Sequence, residues 1–127
     1  MFIDKNSIVI NNVNFGEYLV EVKYGYHKLW ANDSGRNLAG DQSGTLIGIY
    51  PKLTMQFRSL TKSELEVVAP ILDSASQSVT YYDPNKKANV TMSTYTGDWE
   101  VVNKYFVNNK SKNQPFSCAF ISRKKRV

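Results

Sequence analysis

The chain contains one histidine, His27, and one cysteine, Cys118, so any nucleophile–base pair involving either type must use those two side chains. A catalytic thiol needs a neighbouring cation or helix terminus to keep it ionised. Cys118 instead lies in the apolar run PFSCAFIS, where a buried thiol is inert, and His27 falls on the polar face of a strand-like stretch. A lone cysteine makes no intrachain disulfide and no cysteine-based zinc site. The other stretch that invites a chemical reading is WANDSGRNLAGDQSGTLIG, Trp30 to Gly48. Gly35 and Gly40 have the outer spacing of a phosphate loop, but Asp41 and Gln42 follow where Lys and Ser/Thr are required, and a carboxylate there repels phosphate. In GDQSG, Gln42 occupies the centre that a nucleophile elbow reserves for serine. Asp33 with Asp41, and Asp98 with Glu100, are acid pairs without the spacing of a calcium loop. The reading is therefore non-enzymatic, with no catalytic, cofactor-binding or metal-binding residue assigned and no small-molecule substrate.

The residues of the Trp30–Gly48 stretch fit turns better than catalysis. Asn32, Asp33, Ser34, Gly35, Asn37 and Gly40 support tight backbone through side-chain hydrogen bonds or positive φ. A loop of about fifteen residues is long for a compact domain and points to binding. Arg36 and Leu38, a guanidinium beside an apolar side chain, are the expected anchors of a subunit interface, with Asn37 and Asp41 beside them.

The elements that must hold such a loop are mostly strands. Val13 and Phe15 follow Ile8 and Ile10 across a turn at Asn11-Asn12, and Tyr18, Val20, Val22, Tyr24 and Tyr26 share one face of the next strand. Pro51 predicts an edge position or a bulge, after which Leu53, Met55 and Phe57 alternate with polar residues. The period changes at Thr61, where Thr61 and Glu64 form a capping box and Leu60 staples onto Leu65. A short helix over about residues 62–73 follows, with a stripe of Leu65, Val68 and Leu72 and a kink or break expected at Pro70. Ser78–Tyr82 and Val90–Tyr95 read as a hairpin around Asp83-Pro84-Asn85. Trp99–Val107 reads as a strand, Asn108–Gln114 as a long polar turn, and Phe116–Arg123 as a last strand. Six to eight antiparallel strands with one helix predict a mostly β, α+β domain, a β-sandwich or small barrel with the helix against it.

With 127 residues, 42% of them hydrophobic and 21% charged, the chain suits one globular domain over residues 1–122. The net charge of +5 comes largely from Arg123, Lys124, Lys125 and Arg126. Without these four the count is 12 bases to 11 acids, so residues 123–127 read as a solvated basic tail and nucleic acid is disfavoured as a partner. No signal-peptide pattern or spanning run is visible, and a soluble, cytoplasmically made protein without membrane association is expected.

Gly35-Arg36-Asn37-Leu38-Ala39-Gly40, Ser43-Gly44-Thr45, Pro51-Lys52-Leu53 and the capped helix, with Tyr81-Tyr82-Asp83-Pro84 beyond them, resemble small proteins encoded in the tail-morphogenesis modules of siphophages and prophages of Gram-positive bacteria. The resemblance implies a virion structural component of the tail tube, distal tail or baseplate. It also implies assembly into sixfold or threefold rings, through contacts with other copies and neighbouring tail proteins. By this reading the protein is found first in the host cytoplasm and then in the virion. An alternative is a host-surface or carbohydrate-binding module using Trp30, Tyr50, Tyr81, Tyr82 and Trp99.

Overall fold

A computed structural model describes residues 3–31, 35–36, 42–108 and 110–126. Val9–Ile10 (β1) and Val13–Asn14 (β2) pair antiparallel across Asn11 and Asn12, whose φ values of 50° and 67° suit a tight hairpin turn and are tolerated by asparagine. Two long strands follow, Leu19–Trp30 (β3) and Leu46–Phe57 (β6), and between them lie the two-residue strands Gly35–Arg36 (β4) and Gln42–Ser43 (β5). The helix Lys62–Asp73 (α1) precedes Gln77–Asp83 (β7), Ala88–Thr96 (β8), Asn103–Val107 (β9), Lys110–Asn113 (β10) and Phe116–Ser122 (β11).

Seven of these strands form one antiparallel sheet in the order β2-β1-β7-β8-β11-β6-β3. The fold is the mostly β, antiparallel class that the alternation predicts, with one short helix. The sheet does not close into a barrel, since its terminal strands β2 and β3 are not paired with each other. It is nevertheless strongly curled. Tyr24 on β3 and Tyr81 on β7 have ring centroids 6.1 Å apart although three strands separate them in the ladder. A flat sheet would hold them about 19 Å apart at the usual strand spacing.

Curling brings one face of the seven-stranded sheet into a common core. Val22 and Tyr24 of β3, Leu53, Met55 and Phe57 of β6, Phe116, Cys118 and Phe120 of β11, and Val79 and Tyr81 of β7 are in register on that face, joined by Ile10 and Phe15. Phe57 stacks on Phe116 at 4.8 Å and meets Phe15 edge-on at 5.9 Å. Burial of these rings supplies most of the driving force for folding.

Helix α1 covers the end of the curl where β6 finishes and β7 begins. Thr61 accepts from the Glu64 N–H while Glu64 accepts from the Thr61 N–H, completing the predicted capping box. Val68, Ile71 and Leu72 are buried and Leu65 only partly so, which rotates the stripe slightly from the predicted one. The Thr96 hydroxyl donates to the Leu72 carbonyl and the Gln77 amide to those of Ile71 and Ser74, tying the last turn to the sheet. Of the kink or break expected at Pro70, the break is absent, since the helix runs through that residue. Pro70 and Glu66 are exposed, so the Glu66 carbonyl, which loses its helical partner, faces water.

Other expectations need correction. Val20 is 63% exposed because β3 carries one extra residue between Leu19 and Glu21, which moves Leu19 and Val22 onto the inner face. Residues 99–102 are not strand, whereas Lys110–Asn113, predicted as part of a turn, pairs with β9. Among the described residues there are eleven strands, four of them only two residues long, where six to eight were expected. Pro51 lies just beyond the last β6 residue paired with β11, Lys52, so β6 is locally an edge there as predicted.

Candidate interaction surfaces

Beyond Lys52 the strands β3 and β6 leave the sheet and continue as a two-stranded arm. His27 faces Tyr50, Lys28 faces Ile49, Leu29 faces Gly48 and Trp30 faces Leu46, with Ile47 bulged out between the last two pairs. The Ala31 N–H donates to the Thr45 carbonyl at 2.8 Å, and farther out β4 pairs with β5, Gly35 opposite Ser43 and Arg36 opposite Gln42. Among its described residues, the stretch expected to be an irregular loop thus includes paired strands. From Tyr26 to Trp30 alone the arm extends about 14 Å. Leu29, Trp30, Leu46 and Ile47 are 37–47% exposed on it. Four large apolar side chains on a slender ribbon have no core of their own to enter.

The base of the arm is strapped by the C-terminal residues. The Arg126 N–H donates to the Ile49 carbonyl at 2.7 Å, and Lys125 lies over Gly48 so closely that a Cβ there would meet its side chain at 2.6 Å. The Arg126 guanidinium stands 5.5 Å from the centre of the Tyr26 ring and 3.9 Å from Asp83 Oδ2. Asp83 is fully buried at the end of β7, where its Oδ1 accepts from the Asn85 N–H at 2.9 Å and from the Tyr26 hydroxyl at a long 3.5 Å. Burial, then the Asp83 charge, raises the Tyr26 hydroxyl above its ordinary range and pushes Tyr81 up to about 12, so both tyrosines remain neutral. This overturns the solvated tail in one respect. Arg123, Lys124 and Lys125 are exposed, but Arg126 is held between the arm and a buried carboxylate.

A second projection is the hairpin of β9 and β10, which among the described residues pairs with no other strand. Its outer side chains, Tyr105, Phe106 and Val107, are 63–77% exposed, and Tyr105 has φ of 61°, a left-handed backbone unfavourable for an aromatic residue. The register slips here, with Lys110 opposite Val107 and Lys112 opposite Lys104, so β9 carries an extra residue at the strained position. The hairpin is moored by Asn113. Its Oδ1 accepts from the Leu60 N–H at 2.7 Å and its amide donates to the Leu60 carbonyl, while the Ser59 hydroxyl donates to the Asn113 carbonyl at 2.6 Å. Between hairpin and helix opens a cleft of about 870 Å³ containing Lys62, Lys110 and Lys112 over Leu60 and Leu65.

At the opposite end of α1 lies a shallower cleft of about 550 Å³, lined by Asp73, Asp98 and Glu100 with Tyr95 and Trp99. Trp99 donates its indole N–H to Asp73 at 3.2 Å.

Of the residues expected at a subunit interface, Arg36 is on β4, whereas Asn37, Leu38 and Asp41 lie outside the described residues. The aromatic set of the carbohydrate reading is scattered. Tyr81 is in the core, Trp99 packs against Phe116, and only Trp30 is among the exposed large apolar residues of the arm. His27 is exposed, and burial pushes the Cys118 thiol up to about 11. Among the described residues, no three of His, Cys, Asp and Glu are grouped to hold a metal, and no helix is long and apolar enough to cross a membrane.

Sequence reasoning missed Asp83 and Asn113 as structural pivots. Asp83 was visible in principle, since Gln77, Val79, Tyr81 and Asp83 share one phase of β7 and so must share one face. Asn113 gave no such signal. Compared with protein-family models, with curated proteins and with solved structures, the chain matches none.

Proposed function

We propose that this chain is a non-enzymatic structural protein of a phage tail or baseplate, assembling with other copies of itself and with neighbouring tail proteins. The observation that carries the reading is the arm, a ribbon that leaves a well-packed body and exposes Leu29, Trp30, Leu46 and Ile47. Such a surface is stable in water only at a cost in apolar hydration that an interface removes. The resemblance of Ser34 to Leu72 to tail-module proteins supplies the biological setting, with assembly in the host cytoplasm and residence in the virion. The body provides a rigid mount and the arm provides reach.

The test is incorporation into particles. Replacing Trp30 and Ile47 together by serine, or Arg36 and Leu38 together by alanine, is expected to leave the body folded and to abolish or strongly reduce tail assembly in a complementation assay. Normal particle yield from both double variants would overturn the role of the arm. Absence of the wild-type chain from purified tails would overturn the function itself.

A further inference from the structure

We infer that the β9–β10 hairpin of one copy docks into the acidic cleft at the C-terminal end of α1 in a second copy, making a head-to-tail contact. This rests on the structural-protein reading and deepens it by naming the two surfaces that meet.

The hairpin segment Asn103–Asn113 carries Lys104, Lys110 and Lys112 and no acid, and it presents Tyr105, Phe106 and Val107 to solvent. None of the three lysines makes an ion pair among the described residues, whereas Lys5, Lys23, Arg58, Lys62 and Arg126 each have one. The cleft is the complement. Asp73, Asp98 and Glu100 also lack an ion pair among the described residues, and they line it together with Tyr95 and Trp99. The helix adds to the negative field, since the negative pole of its dipole is at this end and its last turn has no basic residue. One cation is nearby: Arg123 donates to the Ala75 carbonyl at 3.1 Å at the rim. Three lysines around an aromatic tip thus match three carboxylates around an aromatic-walled depression, in charge and in chemistry.

The partner is a second copy because, within one chain, the hairpin is moored at the end of α1 opposite to Asp73. Asn113 moors the hairpin to Leu60, before the first turn of α1, while Asp73 ends the helix, about 18 Å away at the rise of an α-helix. The rings of the hairpin accordingly remain uncovered in the monomer. A surface that binds a different surface of an identical neighbour generates rings or filaments, the geometry that a tail component requires.

Charge reversal tests the contact in both directions. One variant carries Lys104→Glu, Lys110→Glu and Lys112→Glu, and the other carries Asp98→Lys and Glu100→Lys. All five side chains are exposed, and Asp73 is left in place because it holds Trp99. Self-association, measured by analytical ultracentrifugation and by electron microscopy of assembled particles, is expected to weaken about tenfold or more in each variant. Mixing the two variants restores it, because each reversed hairpin then finds a reversed cleft. Wild-type association by both variants, or no recovery on mixing folded variants, overturns the docking. Tails that contain the wild-type chain and assemble normally with either variant overturn the docking while leaving the structural function standing; exclusion of the wild-type chain from tails removes both.

Discussion

The arm of β3 and β6 and the smaller hairpin of β9 and β10 both carry exposed apolar side chains, yet different physics joins them to the body. The arm continues two twelve-residue strands whose inner halves are core elements, and the buried Asp83–Arg126 pair with the Tyr26 ring steadies its base. The hairpin shares no ladder with the sheet, is moored by the side chain of Asn113, and includes a tyrosine at positive φ. The arm is an extension of the core, and the hairpin is an attachment to it. Local opening is governed by how much buried structure an element shares with the rest, so the hairpin is the part that can adjust on contact while the arm holds its direction.

The comparison can be broken most forcefully at the arm. Asp83→Ala leaves the Arg126 guanidinium, only 20% exposed, without its counter-charge and should destabilise the protein by about 3 kcal/mol in urea unfolding. Amide exchange should accelerate around Tyr26, Ile49 and Arg126, with little change in β9 and β10. Equal acceleration in both projections would mean that the strap is not specific to the arm.

Asn113→Ala is the corresponding cut at the hairpin. It strands the buried N–H and carbonyl of Leu60, for an expected loss of about 2 kcal/mol, and it should release exchange protection in β9 and β10 while sparing the arm. Tyr105→Gly has a smaller effect of opposite sign. Glycine accepts φ of 61° without strain, and after its greater unfolded-state entropy is counted a gain of about 0.5 kcal/mol should be seen as a higher denaturation midpoint. A loss on that substitution would mean that the tyrosine ring is held by contacts stronger than its backbone strain.

The smallest effect concerns the helix start that Asn113 grips. Hydrogen bonds from Arg58, then from the Thr61 backbone, lower the Glu64 carboxyl from 4.5 to about 2. A carboxyl depressed in the folded state contributes stability that is complete above its unfolded value and is lost as pH falls from about 4.5 towards 2. Glu64 is solvent-screened, so the slope will be shallow. Glu64→Gln should flatten it, and an unchanged acid profile would move the cause elsewhere.

Much of the body was legible in the sequence because its signals are local. Strict alternation placed Leu53, Met55 and Phe57 on the core face, Thr61 with Glu64 marked the helix start, and Asn11-Asn12 and Asp83-Pro84 marked turns. The candidate surfaces were less legible. The Arg36 stretch reads as a loop, because turn-forming residues mask a ladder whose strands are only two residues long. The β9–β10 hairpin was half missed, since Lys110-Ser111-Lys112-Asn113 has almost no intrinsic strand preference and pairs only because Leu60 and β9 hold it.

By itself, then, the sequence determined which residues are inward, where the helix starts and how strands alternate, all consequences of backbone periods and caps acting over a few residues. Tertiary structure decided the rest. The curl that brings Tyr24 to Tyr81, the burial of Arg126 against Asp83, and the placing of three lysines and three carboxylates at opposite ends of α1 each join residues far apart in the chain. No local period encodes such meetings. They follow from the single packing that lets a seven-stranded sheet cover its own apolar face.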